Sequence, residues 1–318
     1  MTQALSRYDR VLGCLIGGAV GDALGYQVEF DHWDSIKAAF GPDGVTELRY
    51  NQISDDTQMT LFTAEGLLEA SAGDEYESVR SAYLRWYATQ KEYLPPAGAQ
   101  GLAAEPWLYA RRAPGNACLS GLREGARPGV NPDSKGCGTV MRSAPFGLHF
   151  GPHAAFVLAE RCSALTHGHP TAGASAGAFA MIVAHLMNGE TPQRAVSATM
   201  LHLRSGIDPS ETADALQAAY RLAGNVTPGP NTCAPLGEGW IAEEALAIAV
   251  YCFLGTDDVR KGLTASVSHS GDSDSTGAIL GNLYGAAYGH AALPKEWASQ
   301  VEGRDTVAAL AAMMEPFG

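Results

Sequence analysis

Two short runs of acidic and hydroxyl residues have the composition of a reactive centre: Ser54-Asp55-Asp56-Thr57 and Gly271-Asp272-Ser273-Asp274-Ser275-Thr276. Each stands just before an apolar helical pattern, so helix capping accounts for part of both. Ser, Asp and Thr accept hydrogen bonds from first-turn amides, and acids complement the helix dipole. Four carboxylates exceed what two caps require. The donors are all oxygen, with no Cys or His at zinc-like spacing, a set that suits hard cations such as Mg²⁺, Mn²⁺ or Ca²⁺. Brought together bare, four carboxylates would repel and raise one another's pKa. Two divalent ions would neutralise them and keep positions open for water and substrate. A binuclear site, with two Mg²⁺ ions and Mn²⁺ as the substitute, is the reading that uses them all.

Two further motifs lie between these runs. Lys135-Gly136-Cys137-Gly138-Thr139-Val140-Met141-Arg142 is a Gly-x-Gly loop opening a short helix, and such a loop is either a plain turn or a set of backbone amides aimed at phosphate oxygens. Arg142 could meet a phosphate or a buried carboxylate. Thr166-His167-Gly168-His169-Pro170 stands at the start of a small-residue helix, where a histidine is more often a helix-entry hydrogen-bonding device than a ligand.

The elements that must position these groups are helical. Apolar residues recur at three-to-four spacing over 8–24, 57–70, 75–89, 154–165, 172–187, 192–203, 210–223, 241–254, 257–267, 276–288 and 304–314. Only Val45 to Tyr50 reads as a strand. Pro and Gly mark irregular connections over 91–101, 126–136 and 225–237. An all-α single domain over residues 1–318 follows. Gly277, Gly281, Gly285 and Gly289 recur at every fourth position of the last long helix. Their cost in helix propensity implies a neighbouring helix packed close against its backbone.

Composition narrows the function. The chain of 318 residues is 46% hydrophobic and only 17% charged, ample for a large core and unlike a disordered segment. A formal net charge of −13, with no basic run, disfavours unaided binding to a nucleic-acid backbone. A bound diphosphate would need metal ions or oriented amides instead. Six cysteines without a CxxC pair read as buried thiols in a reduced cytoplasm. The apolar run from Val11 to Val20 is short for a signal sequence and is followed by Asp22 without a convincing cleavage site. No stretch reads as a membrane span.

Taken in order, the motifs resemble the ADP-ribosylglycohydrolase superfamily. The resemblance covers Gly13 to about Gly289 and is carried by the segments Gly17 to Gly25 with Glu29 beyond, Ser54 to Thr57, Gly136 to Pro145, Thr166-His167 and Gly271 to Ser275. It implies a compact, mostly orthogonal helical bundle with two metal ions in a central cleft. Ser54, Asp55 and Asp56 would hold one ion, Asp272 and Ser275 the other, and Asp274 both. Gly136, Cys137, Gly138, Thr139 and Val140, followed by Met141 and Arg142, would cradle the diphosphate and the adenosine-side ribose. His167 would lie beside the distal ribose, and Glu29 or Asp272 would handle protons. The implied activity is metal-dependent hydrolysis of the C1″ glycosidic bond of ADP-ribosylated proteins or small ADP-ribose conjugates.

One departure bears on the leaving group. Members acting on ADP-ribosylarginine often carry an acid after the fourth helical segment, whereas Tyr109 to Asn116 here has none. An arginine leaving group would then require Glu105 or Glu124 to reach the site through space. Two alternatives stand beside this reading. Asp272-Ser273-Asp274-Ser275-Thr276 has the Asp-x-Asp-x-Thr form of a Mg²⁺-dependent phosphatase loop, but no hydrophobic strand precedes it. A non-catalytic ADP-ribose-binding protein of the same fold would share the binding motifs without the turnover.

Overall fold

In a computed structural model that describes residues 5–205 and 211–315, the chain is built from α-helices: α1 (Arg7–Tyr26), α2 (Trp33–Phe40), α3 (Asp55–Glu69), α4 (Glu75–Thr89), α5 (Asn116–Arg123), α6 (Ala144–His149), α7 (Pro152–Ser163), α8 (Pro170–Met187), α9 (Pro192–Arg204), α10 (Glu211–Ala223), α11 (Ala242–Gly255), α12 (Val259–Val267), α13 (Ser273–Tyr288), α14 (Lys295–Gln300) and α15 (Arg304–Met314). Five short 3₁₀ turns lie between them. The fold is all-α, as the periodicity predicts, and one hydrophobic cluster extends from Val11 to Met314. The expected helix start at Ser210 falls outside the described residues.

The strand expected over Val45 to Tyr50 does not form. Among the described residues no strand lies beside it, and its backbone is held by side chains instead: the Val45 amide donates to Ser268 Oγ at 2.9 Å, and the Arg49 amide to Gln27 Oε1 at 2.8 Å. β-Propensity without a partner edge gives an extended loop. A second correction concerns α8, which is long and apolar enough to cross a membrane by length and composition. It packs against α6, α7, α9, α11 and α13, and 78% of it is buried, the setting of a core helix.

The close approach expected at the glycines of α13 is made by α1. The two helices run antiparallel, with Gly13, Gly17 and Gly21 of α1 set against Gly285, Gly281 and Gly277. A methyl group on Gly21 would lie 1.9 Å from the Gly277 carbonyl oxygen, so nothing larger than hydrogen fits. This backbone contact places Asp22 of α1 near the start of α13, where Asp272 and Asp274 stand. Gly21→Ala should therefore force the helices apart, lowering stability by about 2 kcal/mol and disturbing the aspartates at the same time. A urea titration of the variant, read as a lowered midpoint at unchanged slope, checks the first part.

Candidate active site

The two aspartate runs, about 200 residues apart in sequence, meet in one cavity of about 440 Å³. Asp55 and Asp56 enter it from the first turn of α3, and Asp272, Asp274 and Ser275 from the start of α13. Each run also supplies the cap of its helix, Ser54 for α3 and Asp272 for α13. Ser54 Oγ accepts from the Asp56 amide at 3.2 Å, and Asp272 Oδ1 accepts from the Ser275 amide at 3.3 Å. Gly271, at φ +117, turns the chain sharply into α13, and the next residue, Asp272, donates its N–H to the Glu238 carbonyl at 2.8 Å.

Electrostatics sets this cavity apart. Glu29 lines it with the four aspartates, and no Lys or Arg does. All four aspartates are at least 96% buried. Burial, followed by repulsion from Asp274, holds Asp55 and Asp56 well above the usual carboxylate range. Burial and then Asp272 do the same to Asp274, and burial raises Asp272. Glu29 is pushed up to about 10 by burial and by repulsion from Asp274, Asp55 and Asp22. Two oxygens, Asp56 Oδ2 and Glu29 Oε2, are buried without a hydrogen-bond partner. An orphaned carboxylate oxygen beside like charges is a strong acceptor for a cation. Among the described residues no three His, Cys, Asp or Glu side chains form a ready-made cage, so a bound ion would complete its shell with hydroxyls and water, as Mg²⁺ commonly does. On donor chemistry and charge, the residues fit hard divalent ions.

Behind the cavity stands Asp22, a residue that sequence reasoning passed over. Fully buried in α1, it accepts from the Ser54 amide at 2.9 Å, from the Thr57 amide at 3.0 Å and from the Thr57 hydroxyl. It thus ties the start of α3 to α1. Burial raises its pKa to about 6 against the lowering effect of these bonds. A lone acid inside an apolar, glycine-rich helix is the signal that could have found it. Ser54 is drawn back into this network and does not line the cavity.

The glycine loop divides into two parts. Gly136, Cys137, Gly138 and Met141 line the cavity, whereas Thr139 and Val140 are fully buried behind it. The amides of Cys137, Val140 and Met141 already donate to the carbonyls of Trp240 and Cys137. That of Gly138, on the cavity wall, is left as the candidate anion donor. The Cys137 thiol donates to Asp272 Oδ2 at 2.7 Å, and burial with the Asp272 charge keeps it protonated.

Arg142 faces neither a phosphate position nor a carboxylate. Its Nη2 donates to Thr166 Oγ1 at 2.7 Å, and its guanidinium lies 4.5 Å from the Tyr83 ring centroid. Thr166 Oγ1 in turn sits 2.8 Å from His167 Nδ1. Burial and the Arg142 charge lower the His167 pKa to about 3, so the ring is neutral. Thr166 Oγ1 also lies 3.4 Å from the Ser163 carbonyl, and the His167 ring presents Nε2 toward Gly136 and Gly138. Arg142 thus holds Thr166, which in turn holds the neutral His167 ring on the cavity wall.

Ala113 to Cys118 form another wall, with no carboxylate among them. Neither Glu105 nor Glu124 reaches the site. Glu105 accepts from Trp107 Nε1 at 3.1 Å, and Glu124 is exposed beyond the end of α5. Outside the two clusters, Glu29 is the one carboxylate a leaving group would meet. Phe30 and Trp240, also on the cavity, stack with ring centroids 5.5 Å apart. Sequence reasoning missed this pair because only the fold brings residues so distant in the chain together.

Comparison with known proteins agrees with this geometry. A profile of the ADP-ribosylglycohydrolase family matches residues 3–317. The ADP-ribosyl-[dinitrogen reductase] glycohydrolase of Rhodospirillum rubrum is 29% identical over 93% of this chain and 92% of its own. The ADP-ribosylarginine hydrolase Tri1 of Serratia proteamaculans is 24% identical over 95% of this chain and 78% of its own, and the ADP-ribosylhydrolase ARH3 of Mus musculus is 25% identical over 95% and 90%. A solved structure described as an ADP-ribosylglycohydrolase-related protein complex superimposes with a TM-score of 0.72 at 27% identity, covering 98% of this chain and 99% of that one. The phosphatase alternative falls with the helical fold, and the profile, the relatives and the shared architecture together show that the chain belongs to the ADP-ribosylglycohydrolase family.

Proposed function

We propose that this ADP-ribose-conjugate hydrolase works through two Mg²⁺ ions, with Mn²⁺ as substitute, held between the starts of α3 and α13. The observation that carries this is the meeting of five carboxylates in one cavity without a protein cation. Asp55 and Asp56 are assigned to one ion, Asp272 and Ser275 to the other, and Asp274 to both, while Ser54, set back from the cavity, holds the start of α3 instead of a metal. When bound, the ions supply orientation of the distal ribose diol and a water of lowered pKa.

The rest falls to the chain. Cleavage at C1″ builds positive charge on the ribose, which an acidic cavity stabilises. Glu29, held toward its protonated form and with an unpartnered oxygen in the cavity, is assigned to give a proton to the leaving group. Asp272, which accepts a hydrogen bond from the Cys137 thiol, is assigned to orient and deprotonate water. The amide of Gly138 and the Nε2 side of the His167 ring would hold the diphosphate and ribose. The substrate class follows the relatives, whose names specify ADP-ribosylated protein or arginine substrates. Six free cysteines support a reducing, cytoplasmic setting.

Incubating a panel of N- and O-linked ADP-ribose conjugates with the protein should release ADP-ribose in Mg²⁺ and none in chelator. Binding of ADP-ribose without release from any conjugate would favour the non-catalytic alternative. Ligand stabilisation should show the same metal linkage. Free ADP-ribose is expected to raise the melting temperature in Mg²⁺ and to do so weakly in chelator, because a diphosphate entering a bare acidic cavity meets repulsion that the glycine loop offsets only in part. Adenosine should shift it little in either buffer. An ADP-ribose shift unchanged by chelator would show that the ions do not hold the ligand.

A further inference from the structure

A second cavity, of about 460 Å³, lies between the start of α4, the turn after α5 and the end of α7, and shares no lining residue with the first. Its charge is opposite. Arg80, Arg127 and Arg161 line it against one acid, Glu77, in a chain whose net charge is −13. Arg80 is committed to structure: its Nε and Nη2 each donate at 2.8 Å, to the carbonyls of Ala126 and Gly125, and its Nη1 reaches Glu77 at 3.4 Å.

The other two guanidiniums are available. Among the described residues neither Arg127 nor Arg161 makes a side-chain hydrogen bond or ion pair, and Arg161 lies over the Tyr76 ring at 5.1 Å. The Tyr76 ring lines the cavity, with its hydroxyl buried away from water.

The backbone is shaped to present these groups. Gly125 at φ +97 is followed by Ala126 at φ +51, a left-handed conformation that a residue with a Cβ rarely adopts. The two Arg80 hydrogen bonds hold this turn, and the turn carries Arg127 to the cavity edge. Strained backbone locked by its surroundings is a recurrent feature of binding sites. Ala126, Pro128 and the Tyr76 ring supply apolar walls.

We propose that this cavity binds a phosphate group, held between Arg127 and Arg161, with the Tyr76 ring fixing the Arg161 guanidinium. Guanidinium forks suit phosphate oxygens, and the apolar walls have room for an ester substituent. The inference does not rest on the metal site.

Calorimetric titration of inorganic phosphate and of AMP into the full chain, in chelator, tests it. Wild type and Asp274→Asn should both show saturable binding, weakened by salt. The double variant Arg127→Ser/Arg161→Gln should bind at least ~10-fold more weakly while keeping its melting temperature and its turnover in Mg²⁺. AMP binding tighter than phosphate assigns a phosphomonoester as the ligand, and equal affinity assigns the free anion. No saturable binding to wild type, or binding unchanged in the double variant, would overturn the proposal.

Discussion

Asp274→Ala is expected to lower ADP-ribose release by about a thousandfold or more, on the order of 4 kcal/mol of transition-state stabilisation, while the metal-free variant melts higher than metal-free wild type. Both effects have one cause. Asp274 stands among Asp272, Asp55, Asp56 and Glu29, and its charge raises the pKa of Asp55, Asp56 and Glu29. Removing it relieves repulsion in the bare protein, yet takes away the one carboxylate assigned to both ions. Asp55→Ala should behave alike. It also loses the acceptor of the Gly115 amide at 3.3 Å, so its gain in stability should be smaller. Initial rates in saturating Mg²⁺ and melting curves in chelator provide the two readouts. Wild-type turnover by either variant would remove these residues from the mechanism.

The second large effect is a pH dependence of stability that metal removes. An unfolded glutamate titrates near 4.3, whereas burial and neighbouring acids hold folded Glu29 at about 10. Between those values the folded state carries the extra proton, so stability falls as pH rises. The aspartates with raised pKa act in the same direction, Asp22 from the ordinary aspartate range up to about 6. His167 acts oppositely: its pKa is lowered to about 3, so it favours the folded state increasingly as pH rises toward the unfolded histidine value of about 6.5. Above pH 7 that contribution is complete, and the carboxylates remain together with the buried thiols, whose raised pKa values act with the same sign. In chelator, going from pH 7 to pH 8.5 should cost about 2 kcal/mol through the carboxylates, and saturating Mg²⁺ should abolish most of that part. Cys14, Cys162, Cys233 and Cys252 lie away from the cavity and contribute alike in both buffers, so the difference between the two arms reads the carboxylates and the Cys137 thiol bonded to Asp272. Urea midpoints parallel in pH with and without Mg²⁺ would mean that the cluster is not where the ions bind.

How much of this was legible in the sequence depends on the length of the signal. Glu75–Thr89 and Arg304–Met314 agree with the periodicity to the residue, because two or more turns of apolar spacing define a face. Trp33–Phe40, Asn116–Arg123, Ala144–His149 and Lys295–Gln300 went unread, since six to eight residues cannot establish a period. Val45 to Tyr50 was misread because strand propensity says nothing about whether a partner edge exists. In the site, the four aspartates were legible because that many acids before apolar helices need a counter-charge. Asp22 was hidden by its apolar helix, and Arg142 left two readings open until the fold set it against Thr166 and Tyr83. The glycines of α13 showed that a helix must come close, though not that it would be α1.

The number of Mn²⁺ ions bound per chain, counted by equilibrium dialysis of the metal-free protein, tests the central claim most directly. Two ions per wild-type chain, with loss of that stoichiometry in Asp274→Ala, is the predicted result. One ion or none at saturating Mn²⁺, or two retained by Asp274→Ala, would contradict a binuclear site built from the two aspartate clusters.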